Sequence, residues 1–356
     1  MSRGADIAAD AAAVLPVALD RLQDWLDGQG VGRGPLEGCR LLTGGTQNIL
    51  LRFERDGQAY VLRRPPAHPR PESDQAMLRE ARVLGALAGS GVPHPALVAA
   101  CADTQVLGTA FFVMRAVEGF NAGTGGLPPL HAARPDLRRR MGLAMAEAIA
   151  VLGNLDPTAL GLADFGRPQG FLTRQVQRWS RQLESYATHA GWPGPAGLPD
   201  VAPIAQWLQA HQPADTAPGL LHGDFHLSNV LFRHDSGELA AVVDWEMSTV
   251  GDPLLDLGWL LATWPRPDGS HHLTLSIAPW EGFVREEELV EHYARFTRRD
   301  IAAFRWYAVL ACYKLAIVLE GTHARACAGL APVATGERLH HAARGLLQRA
   351  AGWIER

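Results

Sequence analysis

The sequence predicts an α+β chain of two lobes: a small N-terminal lobe (residues 1–117) on a five-stranded antiparallel sheet, and a larger, mainly helical C-terminal lobe (118–356). Three observations lead there. Short β-type runs separated by glycine-bearing turns fill Arg40 to Arg63, and two more follow near Leu97–Cys101 and Thr109–Arg115. Beyond Gly119 helical patterns dominate to about Leu208, broken by Gly/Pro-rich stretches at 121–129 and 191–199 that read as surface loops. At 356 residues the chain exceeds the usual size of one core, so two lobes about one cleft are expected.

Leu15, Leu19, Leu22 and Leu26 recur at helical spacing and predict an amphipathic first helix covering the small lobe. The strands then turn at Thr43-Gly44-Gly45-Thr46-Gln47-Asn48 and at the hairpin signal Asp56-Gly57. In the run Ala59 to Arg63, alternation puts Val61 and Arg63 on one face and Arg64 on the other, unless both arginines are simply solvated at the strand end before Pro65-Pro66. Glu80, on the following helix, reads either as a partner for Arg63 or as an exposed helix glutamate. Met114 to Gly119 forms the crossing into the second lobe.

The chemistry concentrates further on. Residues 222–229 read His-Gly-Asp-Phe-His-Leu-Ser-Asn, and Ala-Val-Val-Asp at 241–244 follows after one hairpin's length of chain. Phosphoryl transfer needs a group to hold the proton of the attacking hydroxyl, here Asp224, close to oxygen ligands for the magnesium of a nucleotide triphosphate, here Asn229 and Asp244. A tight loop followed by a hairpin ending in aspartate delivers all three, as in the protein-kinase set His-Arg-Asp, Asn and Asp-Phe-Gly. Gly223 stands where kinases carry arginine, and Trp245 follows the metal aspartate. A solvated loop with chance acids is the plain alternative, and the match of several linked residues in order speaks against it.

With those substitutions the chain resembles the aminoglycoside phosphotransferase and choline kinase superfamily, through His-Gly-Asp-x-His-x-x-Asn and through Gly251-Asp252-Pro253-Leu254-Leu255-Asp256-Leu257. The resemblance implies a protein-kinase-like fold, ATP and Mg2+, and a small-molecule hydroxyl as acceptor. It implies that His222 supports the catalytic loop and that Asp252 braces it; Asp252 also reads as the cap of a helix running to about Trp264, with Pro253 at its first position. Gly44, Gly45, Thr46 and Asn48 become a phosphate-covering turn, Val61 an apolar nucleotide contact, and Met114 and Val117 part of the hinge that meets adenine. Arg63 takes the place of the phosphate-binding lysine, because the only lysine in the sequence is Lys314.

The C-terminal third narrows the resemblance. Gly282 to Leu289, Tyr293, Arg299-Asp300, Tyr313-Lys314-Leu315-Ala316, Glu320-Gly321 and Arg325 look like the kinase-like domain joined to certain acyl-CoA dehydrogenases. That branch implies phosphorylation of a hydroxyacyl-CoA at its fourth carbon, within 4-hydroxy acid breakdown. An aminoglycoside or macrolide kinase is the alternative among enzymes, and a catalytically silent nucleotide- or metabolite-binding module the alternative of another class. His226, Glu246, Lys314 and Arg325 are the candidates for acceptor contact. Tyr307, Ala311, Lys314, Val318, Gly321 and Arg325 recur on one helical face as an acyl-CoA slot, or equally as core with the two cations snorkelling to water.

Composition bounds the rest. Hydrophobic residues make up 47%, enough for a sizeable core, and 20% charged residues argue against disorder. Nothing in a formal net charge of -4 suggests a nucleic-acid partner, which calls for a basic surface, and none is expected. The one compact basic run, Arg138-Arg139-Arg140, reads as a solvated helix face. The cysteines, Cys39, Cys101, Cys312 and Cys327, lack metal-ligand spacing and read as reduced, mostly buried thiols. No apolar run is long enough to span a membrane, and Asp6 and Asp10 interrupt the alanine-rich start without a basic leader before them, so a cytoplasmic location is expected.

Overall fold

A computed structural model of the chain describes residues 16–42, 48–66, 68–266 and 277–355. The described residues fall into two compact units, one holding the chain up to Ala81 together with Ala96–Ala116, the other Arg82–Pro95 and the chain from Val117 onward.

The first unit runs α1 (Leu19–Gly28), β1 (Glu37–Leu41), β2 (Ile49–Arg55), β3 (Gln58–Arg64), α2 (Ser73–Ala86, counted with the second unit from Arg82 on), β4 (Leu97–Cys101), the single turn α3 (Thr104–Leu107) and β5 (Phe111–Arg115). Its sheet is the expected five-stranded antiparallel one, in the order β1-β2-β3-β5-β4. Asp56 and Gly57 both adopt positive φ, 53° and 68°, so a two-residue turn pairs Arg55 with Gln58 and fixes the β2–β3 register. That register sends Tyr60 and Leu62 into one core with Leu51, Phe53, Phe111, Val113 and the α1 residues Leu22 and Leu26. Arg64, on the same side, donates to the Pro16 carbonyl at 3.3 Å. Arg63 points the other way, and its Nε lies 2.9 Å from Glu80 Oε2, with both side chains buried. Removing one member of such a buried pair typically costs about 3–5 kcal/mol, so the two residues are coupled in any later substitution.

The second unit continues with α4 (Ala122–Gly125), α5 (Pro129–Ala133), α6 (Pro135–Gly153), α7 (Thr173–Ser185), α8 (Val201–Ala210), β6 (Gly219–Leu221), β7 (Val230–Phe232), β8 (Leu239–Val242), β9 (Thr249–Gly251), α9 (Leu254–Thr263), α10 (Glu286–Phe296), α11 (Phe304–Cys327) and α12 (Val333–Ile354). Strands β7 and β8 form the hairpin expected between the catalytic loop and Asp244, while β6 and β9 pair outside it. Helix α9 is buried along nearly its whole length. At Gly258 an added Cβ would run into the Tyr307 carbonyl, so the missing side chain is what lets α9 lie directly against α11.

Two sequence expectations change here. Residues 121–129 are not plain loop, because the Asn121 carboxamide accepts from Thr124 N at 2.9 Å and caps the short helix α4. Arg138 to Arg140 do not make a solvated face: Arg138 is buried and donates to the carbonyls of His131, Ala132 and Glu281, while Arg140 is forked between Glu147 and Glu238. The carbonyls left open at the end of α5 explain why a guanidinium is drawn inward. Of the four free cysteines, Cys101 and Cys312 are buried, Cys39 is partly so and Cys327 is exposed.

Candidate active site

The loop after β6 is built on a backbone conformation that only glycine takes easily. Gly223 has φ of 86°, and an added Cβ would be driven into the Met247 carbonyl oxygen. This gives the glycine in place of the kinase arginine a physical cause. Gly223→Ala is accordingly expected to displace the neighbouring Asp224 and to lower turnover by about 100-fold, the scale on which misplacement of a reacting group acts. Steady-state kinetics alongside a melting curve check this, and a well-folded variant of normal turnover would contradict it.

His222 is fully buried and acts as the pin of the loop. Its Nδ1 accepts from Asp224 N at 3.3 Å and its Nε2 donates to the Val243 carbonyl at 3.0 Å, so the partners select the neutral Nε2–H tautomer. Burial lowers its pKa in the same sense, against the charges of Asp256, Asp224 and Asp244. The ring sits 4.8 Å from the indole of Trp245, which ties the loop to the segment carrying Asp244.

The Asp224 carboxylate is held at both oxygens. Oδ1 accepts from Trp259 Nε1 at 2.9 Å and lies 3.5 Å from His226 Nε2; Oδ2 accepts from Asn229 Nδ2 at 3.0 Å. Burial alone would raise this carboxyl, but the Nε2–H of His226, with the ammonium of Lys314, brings it down to about 2 from an ordinary 3.8. The Asn229 amide nitrogen also donates to the Asp224 carbonyl at 2.9 Å, which commits that nitrogen and turns Oδ1 to the opposite side. Asp244 adopts φ 66°, ψ 65°, a left-handed conformation that few non-glycine residues adopt and that recurs at functional positions. Glu246, two residues on, is exposed.

The brace of the 222–229 loop differs from the expectation. Asp252 accepts from Leu254 N at 3.0 Å, Thr216 Oγ1 at 2.9 Å and Tyr307 Oη at 2.7 Å, which makes it the cap of α9 and an anchor for the strand leading in. The loop itself is held one helical turn later, by Asp256, whose two carboxylate oxygens accept from His222 N at 2.7 Å and Gly223 N at 2.9 Å. Asp252 sits before the helix and Asp256 inside it, facing the loop, so geometry moves the role by four residues.

Helix α9 also carries a contact that no motif announces. Trp259 joins Asp224 on one edge and on its face meets Lys314, whose Nζ is 4.3 Å from the ring centroid; the same Nζ is 5.5 Å from the ring of Trp179 on α7. Lys314 makes no ion pair among the described residues. Burial lowers its pKa from the ordinary lysine value, opposed by Asp224 and Asp256. Arg325 does not join it. Eleven residues further along α11 it is exposed, bonded to Thr322, and roughly 16 Å away along the helix axis. The one-face slot therefore breaks up: Tyr307 is spent on Asp252, Gly321 lies against Tyr186, and Val318 faces solvent.

His226, expected at the acceptor, accepts Ser228 N on its Nδ1 at 3.2 Å, so its ring is fixed within the loop. Asn121, unremarked in the sequence, donates to the carbonyls of Ser228 and Val230 at 2.6 and 3.2 Å and stiffens the far end of that loop. In the first unit Val61 is buried beside the Arg63–Glu80 pair's strand face, Met114 is partly buried at the end of β5, and Asn48 immediately precedes β2. Val117 is partly buried. Gly44, Gly45 and Thr46 lie outside the described residues. A cavity of about 740 Å³ between Trp280, Phe283, Arg349 and Trp353 is lined by none of the candidate site residues.

Residues 38–307 match the model of the phosphotransferase enzyme family. The chain is 32% identical over 292 residues to human acyl-CoA dehydrogenase family member 11, covering 79% of this chain and 35% of that protein. To mouse acyl-CoA dehydrogenase family member 10 it is 30% identical, covering 78% and 25%. The chain thus spans about a third or less of these curated relatives. Among solved structures, a Ralstonia eutropha protein provisionally assigned as an aminoglycoside phosphotransferase superposes with a TM-score of 0.78 at 26% identity, over 95% of this chain and 98% of that one. Spectinomycin phosphotransferase, solved with ADP and spectinomycin, shares the fold at a TM-score of 0.60 and 10% identity, over 94% and 99%.

Proposed function

We propose, from the premise that the chain belongs to the phosphotransferase enzyme family and is a kinase of small-molecule hydroxyls, that its acceptor is a hydroxyl on an acyl-CoA. The observation that carries this is the wall beside Asp224: one ammonium, Lys314, held on the faces of two indoles, with the nearer indole bonded to the carboxylate. A polycationic aminoglycoside would meet that ammonium as a like charge and calls for carboxylates there instead. An acyl group offers a carbonyl oxygen to Lys314 and apolar carbon to Trp179 and Trp259. Similarity to the acyl-CoA dehydrogenase family members supports the acyl-CoA class, and similarity to the Ralstonia eutropha protein supports the antibiotic alternative.

In this reading Asp224 orients the acceptor hydroxyl and receives its proton as the phosphoryl group departs from ATP. A carboxylate held at about 2 is a weak base, which suits a loose transition state where the proton leaves late and alignment dominates. Trp259 and Asn229 fix which oxygen faces the acceptor. Arg63, paired with Glu80, is proposed to contact the nucleotide phosphates. For Mg2+ the donor set fits: the Asn229 amide oxygen and the Asp244 carboxylate are hard oxygen ligands, and the amide nitrogen that would repel a cation is occupied elsewhere. When bound, the ion would neutralise charge on the transferring phosphates.

The test is ADP release against hydroxyacyl-CoAs, free hydroxy acids, choline, aminoglycosides and a macrolide. Efficient turnover of an aminoglycoside with none on hydroxyacyl-CoAs would overturn the acceptor assignment. Lys314→Met is expected to raise the KM for a hydroxyacyl-CoA about tenfold, while the KM for ATP and the melting temperature stay near wild type, since no carboxylate partner is left behind and a costly desolvated charge is removed. A large fall in melting temperature with unchanged acceptor KM would make the lysine a scaffold residue.

A further inference from the structure

Six residues beyond Lys314 on α11, about 9 Å along the helix axis, begins a second polar cluster that the proposed phosphoryl transfer does not use. Glu320 is fully buried, and a carboxylate there must be compensated. Its Oε1 accepts from His323 Nδ1 at 2.9 Å and from Trp192 Nε1 at 2.7 Å; its Oε2 accepts from His340 Nδ1 at 2.7 Å. The carboxylate and the two imidazoles offer three ligand atoms, all within 4.8 Å of one another. Glu320 and His323 share a helix face at a spacing of three residues, and His340 arrives from α12. Its arrival depends on Gly336, where a Cβ would collide with Ala326, so the two helices close at this level.

We propose that Glu320, His323 and His340 form a zinc site. Two imidazoles and one carboxylate make a donor set that zinc takes with a fourth position left to water. Capture needs no rebuilding. Each imidazole would carry its ring proton on Nε2 in place of Nδ1 and present the freed Nδ1 lone pair to the metal. On His323 that proton would then face Cys327 Sγ, 3.5 Å from Nε2. Trp192 already holds the carboxylate in one orientation, as outer partners of metal ligands do. The ion would tie the segment around Trp192 to α11 and α12, and it stands apart from the phosphoryl-transfer reading.

The experiment uses the full chain, stripped with a chelator and titrated with zinc alone. The expected result is one zinc per chain by plasma mass spectrometry after desalting, a melting temperature that rises with zinc, and visible d–d bands when cobalt replaces it. His340→Gln and His323→Gln should each lose the stoichiometric zinc and the thermal response, and Trp192→Phe should weaken zinc roughly 10- to 100-fold. Should a histidine variant fail to fold, the cobalt spectrum of the wild-type chain still decides. No retained zinc and no cobalt bands would reduce the cluster to a hydrogen-bonded anchor, and zinc retained by both histidine variants would place it on other residues; either overturns the proposal.

Discussion

Asp224→Asn is expected to lower turnover by roughly 10²- to 10⁴-fold, the range over which a positioned acid–base group contributes, with MgATP affinity close to wild type. The carboxylate accepts from Trp259 on one oxygen and from Asn229 on the other. An amide has only one oxygen, so its NH2 must face one of those two donors. The substitution therefore removes the base and sets two N–H groups against each other, which is why the loss should exceed that of a charge alone. Turnover and calorimetric titration of MgATP on one preparation check it, and near-normal turnover would take Asp224 out of the mechanism. The same residue predicts a pH response. Its folded pKa of about 2 lies below the ordinary 3.8, so its contribution to stability is present above the ordinary value and is lost as pH falls through the folded one. Any acid limb in the rate near pH 5 to 7 must then come from another group.

Asp244→Asn should abolish Mg-dependent binding of ATP along with turnover. Asparagine is the right probe because the backbone at 244 is left-handed, φ 66°, where asparagine is tolerated and alanine adds a strain of about 1–2 kcal/mol that would confuse the result. Loss of the charge with the backbone kept isolates the metal role. Asn229→Ala is expected to weaken the same binding less, because one neutral oxygen is lost rather than a carboxylate. Unchanged MgATP binding by the Asp244 variant would refute the assignment.

The antiparallel sheet was legible because its signals are local: alternation placed Val61 and Arg63 opposite Leu62 and Arg64, and Asp56-Gly57 fixed the register. The loop residues stood out because their spacing is the one phosphoryl transfer would call for. What escaped the sequence was the support. Asp256 reaches its partners across 33 and 34 residues, Trp259 reaches Asp224 across 35, and Asn121 reaches Ser228 across 107. In a helix as apolar as α9, a tryptophan reads as core, and nothing short-range distinguishes an indole N–H that has found a carboxylate. The broken stripe on α11 has the same origin: helical spacing gives a face, and only the neighbours decide how far that face stays covered.

The two hydrogen bonds from Asp256 and the one from Trp259 all issue from α9, a helix walled in on nearly every side. A surface loop ordinarily opens by itself at little free-energy cost. Here the amides of His222 and Gly223 can reach water only by letting go of a carboxylate that is itself fixed in a packed helix. Opening of the loop is thereby coupled to opening of the hydrophobic centre of its unit, and the two belong to one cooperative element. The residues proposed to react inherit the core's slowest fluctuations in place of the faster ones typical of a loop.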